Sequence, residues 1–284
     1  MPAADTTPLS YAAFTDDPAG GNPAGVVLDA TGLDADEMLA IAADLGHSET
    51  AFFTATDTPG VLDVRYFAPE REVPFCGHAT IAGAIAWAER HEARPLELRT
   101  PAGVVAVDVR QEDGRLAATL TSVAPSVAPI ADADFDELLA ALRWSREELD
   151  PALPPAVGYA GAHHPIVAAA TRERLADLDY DYERLKRLML DRDWTTIQLV
   201  WREAPDAFQS RNPFAAGGVV EDPATGAAAA AFGAYLRERA LVTPPARVTI
   251  HQGIDLGRPS LIEVDIPQGA GSGIRVTGLA VRMD

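Results

Sequence analysis

Two glycine motifs carry the side chains that are best suited to acid–base chemistry. The first is Cys76-Gly77-His78 and the second is Asp222-Pro223-Ala224-Thr225-Gly226. Each glycine opens an alanine-rich segment that predicts a helix, and the first N–H groups of a helix lack intrahelical partners and carry partial positive charge. We therefore expect each motif to bind an anionic group, such as the carboxylate of a small substrate.

The polar residues of these motifs also have a simpler interpretation. Asp222 and Thr225 are good helix-capping residues, and His78 alone is typical of a polar residue at a helix start. Gly77 and Gly226 permit close approach of a ligand to the backbone. Spacing alone leaves capping and anion binding both open.

Glu49 is the candidate general acid and base. It stands directly before the apolar run Thr50–Phe53, which is typical of a buried strand. A carboxylate beside an apolar wall is suited to take up a proton and return it. Without other evidence, the residue type and position favour the alternative, a solvent-exposed glutamate at the end of a strand.

An internal repeat connects the two motifs and predicts the fold. Glu72–Gly77 aligns with Glu221–Gly226, and residues 78–90 and 227–239 are apolar on nearly all sides. A helix that is apolar all round is buried on all sides. We predict an α+β fold of two pseudo-symmetric lobes, each a mixed β-sheet rolled around a central buried helix. A parallel βαβ stack fits less well, because its crossover helices are amphipathic.

The repeat also sets the expected lobe boundaries. We assign residues 1–122 plus 272–284 to the N-terminal lobe and residues 123–271 to the C-terminal lobe, with the active site in the cleft between them. A helix is expected from Asp34 to Leu45, with Gly46 as its stop, and another over 138–149.

Composition limits the class of protein. The chain has 284 residues and a formal net charge of −19, which argues against nucleic acid or an anionic membrane surface as a partner. The N-terminal sequence resembles no signal peptide, and no apolar run approaches the roughly 20 residues of a membrane span. The single cysteine excludes an internal disulfide and multi-cysteine metal sites. We expect a soluble cytoplasmic protein.

Taken together, the motifs resemble those of the PhzF-like family of phenazine-biosynthesis isomerases, which have the diaminopimelate-epimerase-like fold. The similarity spans nearly the whole chain. It rests on these segments: Gly21-Asn22-Pro23-Ala24, Ser48-Glu49-Thr50-Ala51-Phe52, Cys76-Gly77-His78-Ala79-Thr80, Glu221-Asp222-Pro223-Ala224-Thr225-Gly226-Ala227, Gln252-Gly253 and Gly257-Arg258-Pro259-Ser260.

This resemblance implies an activity of secondary metabolism, a homodimer and cofactor-free chemistry without a metal. A glutamate moves a proton between carbons of a small unsaturated carboxylate, and a dihydro-3-hydroxyanthranilate-like substrate is one possibility. By motif position the catalytic residues are Glu49, His78 and Asp222. The substrate-binding residues are Gly77, Gly226, Ala227, Asn22 and Thr225.

Two departures from related patterns affect the expected activity. Racemases and epimerases of this fold use one cysteine from each lobe, whereas the counterpart of Cys76 is Thr225. A two-thiol racemase is therefore excluded, and we expect Cys76 to be dispensable. Ala227 stands where the family often has serine. That difference motivates an alternative function, a non-catalytic protein that binds or senses small carboxylates.

Overall fold

The computed structural model describes residues 6–284, and these residues divide into two compact units. The first unit holds the chain up to Thr121 together with Thr277–Asp284, and the second holds Ser122–Val276.

The first unit consists mainly of β-strands, with two helices. The strands are β1 (Leu9–Ala13), β2 (Asn22–Val27), β3 (Thr50–Ala55), β4 (Val61–Ala68), β5 (Arg71–Val73), β6 (Leu96–Thr100), β7 (Gly103–Glu112) and β8 (Arg115–Thr121); the helices are α1 (Ala35–Leu45) and α2 (Gly77–Arg90).

These strands form a mixed sheet that closes into a barrel. Neighbours pair in the order β1–β2–β3–β4–β6–β7–β8, with parallel pairing at β2–β3 and β4–β6 and antiparallel pairing elsewhere. The last strand of the chain, β17 (Arg275–Arg282), pairs with both β8 and β1. The hydroxyls of Thr119 and Thr277 lie 2.8 Å apart at the β8–β17 junction. Closure leaves no edge strand in this ring.

Helix α2 is largely buried within the first unit. Eleven of its fourteen residues, His78 to Ala88, are buried, and it packs against β1, β2, β3, β7 and β8. A Cβ added at Gly83 would lie 2.3 Å from the Phe53 ring. The absence of a side chain at Gly83 thus permits α2 to approach β3 closely.

Helix α1 has the ends expected from the sequence. The Asp34 carboxylate accepts hydrogen bonds from the N–H groups of Asp36 and Glu37, while the Glu37 carboxylate accepts one from the Asp34 N–H, which completes a capping box. Gly46 ends the helix with a φ of 67°, a left-handed conformation that glycine adopts without strain.

The second unit contains eight strands and four α-helices among its described elements. The strands are β9 (Ser126–Ala128), β10 (Ala156–Tyr159), β11 (His163–Ala168), β12 (Gln198–Ala204), β13 (Ala207–Pro213), β14 (Glu221–Asp222), β15 (Ala246–Gln252) and β16 (Ser260–Ile266); the helices are α3 (Asp132–Leu142), α4 (Arg172–Ala176), α5 (Tyr182–Asp191) and α6 (Gly226–Glu238).

The strands of the second unit pair in the order β9–β10–β11–β12–β13–β15–β16. Pairing is parallel at β11–β12 and β13–β15 and antiparallel elsewhere. The short strand β14 pairs with β13 as β5 pairs with β4. From β10 to β16 this succession of parallel and antiparallel pairs is the same as that from β1 to β7.

Helix α6 resembles α2 in composition and burial. Residues 228–236 are all buried, and the helix packs against β9, β10, β11, β12 and β16. A Cβ at Gly233 would lie 2.8 Å from Val264 and 3.0 Å from Ile274. Small residues therefore set the close packing of this helix as well.

The helix predicted over 138–149 is wrong in its bounds. Helix α3 ends at Leu142, because Arg143 adopts a left-handed φ of 59° and the Trp144 N–H turns back to the Leu139 carbonyl. A single turn of 3₁₀ helix follows over Arg146–Glu148. The apolar periodicity of the sequence continues past Leu142, and no glycine marks the end of the helix there.

Within residues 6–284, none of the helices combines the length and the apolar character required to cross a membrane.

Candidate functional site

Glu49 is held directly before a strand of the barrel. It directly precedes β3, and its carbonyl accepts a hydrogen bond from the Gly25 N–H on β2 (3.0 Å). Thr50, the next residue, is fully buried, whereas the Glu49 side chain is 20% exposed. The backbone is thus fixed while the carboxylate remains accessible to a small molecule.

The Glu49 carboxylate lies beside His78 at the start of α2. Its Oε2 is 3.5 Å from the His78 Nε2, and the Ser48 Oγ is 3.2 Å from the same nitrogen. The Cys76 Sγ lies 3.4 Å from Nδ1 and 3.9 Å from Nε2. The His78 side chain is only 8% exposed. The imidazole is therefore fixed by contacts on both of its nitrogens.

Hydrogen bonds to β4 fix the first turn of α2. The Thr80 hydroxyl donates to the Cys76 carbonyl (2.7 Å), and the Tyr66 hydroxyl lies 2.7 Å from the Thr80 oxygen. Burial raises the pKa of Tyr66 well above its ordinary value, so the phenol stays protonated. This buried chain of hydroxyls sets the position from which His78 faces Glu49.

In the second unit, Asp222 belongs to a loop that Gln252 holds. The Thr225 hydroxyl donates to the Asp222 Oδ2 (2.5 Å). The Gln252 amide nitrogen donates to the Asp222 carbonyl (2.8 Å), and its amide oxygen accepts from the Thr225 N–H (3.1 Å). Gln252 is almost fully buried. The Asp222 carboxylate therefore sits on a loop that is fixed at both ends.

A buried ion pair secures the strand before this loop. Arg211 on β13 donates to both carboxylate oxygens of Glu221, with the closest contact at 2.5 Å, and also to the Ala176 carbonyl (2.6 Å). The Tyr180 hydroxyl donates to the Val220 carbonyl (2.6 Å). A bidentate arginine–carboxylate pair fixes orientation as well as distance. It therefore anchors the β14 backbone that carries Asp222.

The interpretation of Thr225 as a side-chain cap of α6 is wrong. Thr225 occupies the N-cap of α6, but over the described chain neither its side chain nor that of Cys76 at the N-cap of α2 makes a capping hydrogen bond. The Thr225 hydroxyl is directed to Asp222 instead. Neither N-cap side chain thus occupies the amides at Gly77–His78 and Gly226–Ala227.

The structure brings the predicted site residues together in two groups, one in each unit. Glu49, His78 and Gly77 meet at the start of α2, whereas Asp222, Thr225, Gly226 and Ala227 form the start of α6. Asn22 begins β2, which runs parallel to β3, so Asn22 and Glu49 lie at the same end of adjacent strands.

Several contacts of this site were missed by sequence reasoning. Ser48 and Cys76 both contact His78, and Gln252 and Arg211 hold the loop of Asp222. Ser48 and Gln252 lie inside the motifs that carry the family resemblance, and this position could have indicated that they belong to the site. Arg211 lies outside those motifs, so its position in the sequence gave no such indication.

Comparison with known proteins gives a consistent result. The model of the PhzC-PhzF family, described as phenazine biosynthesis-like protein, matches residues 11–284. The uncharacterized isomerase YfhB of Bacillus subtilis is 31% identical over 281 residues, covering 96% of this chain and 95% of the relative. A trans-2,3-dihydro-3-hydroxyanthranilate isomerase of Pseudomonas chlororaphis is 32% identical over 253 residues, covering 88% and 86%.

Solved structures agree with this similarity. The Bacillus anthracis phenazine biosynthesis protein of the PhzF family has a TM-score of 0.89 and 26% identity, covering 98% of this chain and 96% of that chain. A probable proline racemase from Agrobacterium radiobacter, at 15% identity and a TM-score of 0.65 over 96% and 90% of the two chains, shares the fold. The mixed α/β architecture is therefore one that epimerases and racemases also use.

Proposed function

The chain belongs to the PhzC-PhzF family of phenazine biosynthesis-like proteins and is an isomerase, and from this premise we propose that it moves a proton between two carbons of a small unsaturated carboxylate, with Glu49 as the acid and base. The contact of the Glu49 carboxylate with His78 Nε2, at 3.5 Å, is the observation that carries this proposal.

The proposed reaction needs no net oxidation or reduction. Glu49 takes a proton from one carbon as that C–H bond breaks, and the electron pair moves into the conjugated system of the substrate. The double bond shifts, and the protonated Glu49 returns its proton to a different carbon. One carboxyl group can serve both steps because it is an acceptor when ionised and a donor when protonated.

His78 is the proposed partner of Glu49 in this transfer. Its Nε2 faces both Glu49 and Ser48, and the buried turn at Cys76 and Thr80 holds the ring in place. A fixed imidazole provides a preorganised dipole toward the charge that develops on the substrate. The partial exposure of Glu49 permits the reacting carbon to approach.

Substrate binding is proposed to use the uncapped helix starts. The amides at Gly77–His78 and at Gly226–Ala227 suit a carboxylate, because helix N-termini favour negative charge. Asn22 in the first unit, and Asp222 and Thr225 in the second, are the other proposed substrate-binding residues. Crystals soaked in sulfate or a simple carboxylate test this idea: an anion at these amides would agree, and anions found only elsewhere would contradict it.

We also propose that the two units are pseudo-symmetric lobes, each a sheet rolled around its buried helix. The equal succession of strand pairings and the burial of α2 and α6 support this view. Superposition of the two units in an experimental structure tests it. A helix found on an outer surface would contradict it.

The substrate is proposed to be a dihydro-3-hydroxyanthranilate-like cyclic dienoic acid. The support is the name of the Pseudomonas chlororaphis relative, at 32% identity. Purified protein incubated in D₂O with a panel of cyclic dienoic and amino acids should incorporate deuterium into the true substrate. Binding without exchange across the panel would instead favour a carboxylate-binding protein on the same fold.

A homodimer is part of the proposal, because the family resemblance implies it. Light scattering coupled to size-exclusion chromatography should give twice the chain mass of 30.1 kDa. A monomer at micromolar concentration would contradict this assignment.

A further inference from the structure

Three side chains of the first unit offer a set of metal-binding atoms. A carboxylate oxygen of Glu49, the sulfur of Cys76 and a ring nitrogen of His78 all lie within 4.8 Å of one another. We propose that this cluster, Glu49–Cys76–His78, binds Zn²⁺ or a divalent ion of similar softness, and that the bound ion switches off the isomerase.

The distances in the cluster are close to those of a zinc site. His78 Nε2 lies 3.5 Å from Glu49 Oε2 and 3.9 Å from Cys76 Sγ. Tetrahedral zinc holds its ligands at roughly 2.0–2.3 Å, which places two ligand atoms about 3.3–3.6 Å apart. The Cys76 sulfur lies nearer to Nδ1 (3.4 Å) than to Nε2, so closing the site around an ion requires the thiol and the carboxylate to turn toward Nε2.

The chemistry of the donors also fits. Thiolate, imidazole and carboxylate are the three side-chain types that bind Zn²⁺ in proteins. The thiolate and the carboxylate carry two negative charges, so a divalent ion makes the site neutral. Binding releases the thiol proton of Cys76 to solvent. Three protein ligands leave a fourth position for water.

The fold already holds two of the three ligands next to each other. Cys76 and His78 are buried, and the Thr80 hydroxyl fixes the Cys76 carbonyl at 2.7 Å. Ligands that are already held in place lose little conformational entropy on binding. The formal net charge of −19 raises the local concentration of cations around the whole protein.

Inhibition follows from the identity of the ligands. An ion on Glu49 occupies the lone pairs that would accept the substrate proton, and it also occupies the Nε2 of His78. The inhibition part of this inference rests on the proposed function, whereas the binding part does not.

Calorimetric titration of chelator-treated protein with ZnCl₂ tests the binding part. We expect one tight equivalent per chain. Titration with CoCl₂ should give a thiolate-to-cobalt charge-transfer absorption band. Cys76→Ser should remove the band and weaken Zn²⁺ affinity by about 100-fold or more, since loss of an outer-shell partner alone costs about 10–100-fold.

A matched control uses a histidine–carboxylate pair on the surface. His251 Nδ1 lies 3.3 Å from Glu203, and both side chains are well exposed. His251→Ala should leave the tight equivalent and the cobalt band unchanged. Glu49→Gln gives a second ligand variant, and circular dichroism checks that each variant is folded.

The outcomes separate the two proposals. Tight binding that survives both Cys76→Ser and Glu49→Gln, or no tight equivalent in the parent protein, would overturn the metal site. Deuterium exchange into substrate should fall with added Zn²⁺ and recover with chelator. Exchange that persists at a saturating Zn²⁺ concentration would overturn the inhibitory role. A metal site without any exchange activity would contradict only the proposed function.

Discussion

At the residue scale, the chemistry of the first unit depends on how a carboxylate and an imidazole are held. Glu49 is fixed through its backbone by Gly25, and His78 is fixed through Ser48 and Cys76. These contacts leave the carboxylate as the more accessible of the two groups. Substitution of Glu49 therefore tests the proposed transfer most directly.

Glu49→Gln should lower turnover by about 10²–10⁴-fold while substrate binding survives, because glutamine keeps the size and polarity of the side chain but cannot accept a proton. Steady-state and single-turnover kinetics on the substrate found by exchange measure this. Glu97→Gln, at an exposed glutamate of the same unit, should have no effect. Near-normal turnover of Glu49→Gln would rule out this glutamate as the proton carrier.

Asp222→Ala should weaken binding and turnover together. Its carboxylate accepts from the Thr225 hydroxyl, so its loss removes a charged group and also frees the start of α6. A loss of about 1.5–3 kcal/mol, typical of a charged hydrogen bond, corresponds to roughly 10–150-fold in kcat/KM. Asp191→Ala, an exposed aspartate of the same unit, is the control. Unchanged kcat/KM in Asp222→Ala would remove this residue from the site.

At the element scale, the two alanine-rich helices are packed more closely than ordinary side chains permit. In α2 the backbone at Gly83 meets the Phe53 ring, and in α6 the backbone at Gly233 meets Val264 and Ile274. The position of α2 matters for function because its first turn carries His78.

Gly83→Ala should destabilise the protein by about 1–3 kcal/mol, because the added methyl group would lie 2.3 Å from the Phe53 ring and force a shift. The midpoint of urea unfolding followed by circular dichroism measures the change. Gly271→Ala, where an added Cβ meets no atom within 4 Å, is the matched control. Equal stability of both variants would show that α2 does not need a glycine at this position.

At the scale of the whole molecule, stability depends on polar groups buried in the second unit. His164 is fully buried, and its Nδ1 lies 2.9 Å from the Thr196 hydroxyl, which also accepts from the Asn212 amide (3.1 Å). Burial, with a smaller contribution from His163, lowers the pKa of His164 from 6.5 to about 4. The folded protein thus holds this imidazole neutral.

The free energy of unfolding should fall as pH drops from about 6.5 to about 4. The unfolded chain takes up a proton on His164 in this range, while the folded chain does so only near the lower limit. The difference between the unfolded pKa of 6.5 and the folded pKa of about 4 corresponds to a loss of about 3 kcal/mol of stability once the pH lies below both values. Above pH 6.5 this contribution is fully present and constant.

Urea titrations between pH 7 and pH 4, followed by tryptophan fluorescence, measure this dependence. Three of the four tryptophans, Trp144, Trp194 and Trp201, lie in the second unit. His164→Asn retains a hydrogen-bonding group for Thr196 and should flatten the pH dependence. His163→Asn, at a partly exposed histidine that makes only the smaller contribution to the pKa of His164, should change the pH dependence far less. Parallel pH profiles for the parent and His164→Asn would contradict the assignment.

The sequence by itself determined the elements whose causes are local. The capping residue Asp34 and the stop at Gly46 bounded α1, since both act within one helical turn. The largely apolar residues of α2 and α6 predicted burial, and in the structure residues 78–88 and 228–236 are buried whereas the charged C-terminal ends of both helices are exposed. The ordered motifs were sufficient for the family, because they depend only on residue types in sequence order.

Only the tertiary structure decided which side chains meet. His78 and Glu49 are 29 residues apart, and the pairing of β2 with β3 together with the packing of α2 brings them within 3.5 Å. Strand register likewise decides that Arg211 pairs with Glu221. It also decides that the Thr225 hydroxyl donates to Asp222 and does not cap the helix. A side-chain contact depends on the position of two backbones in space, and the local pattern around each residue does not contain that information.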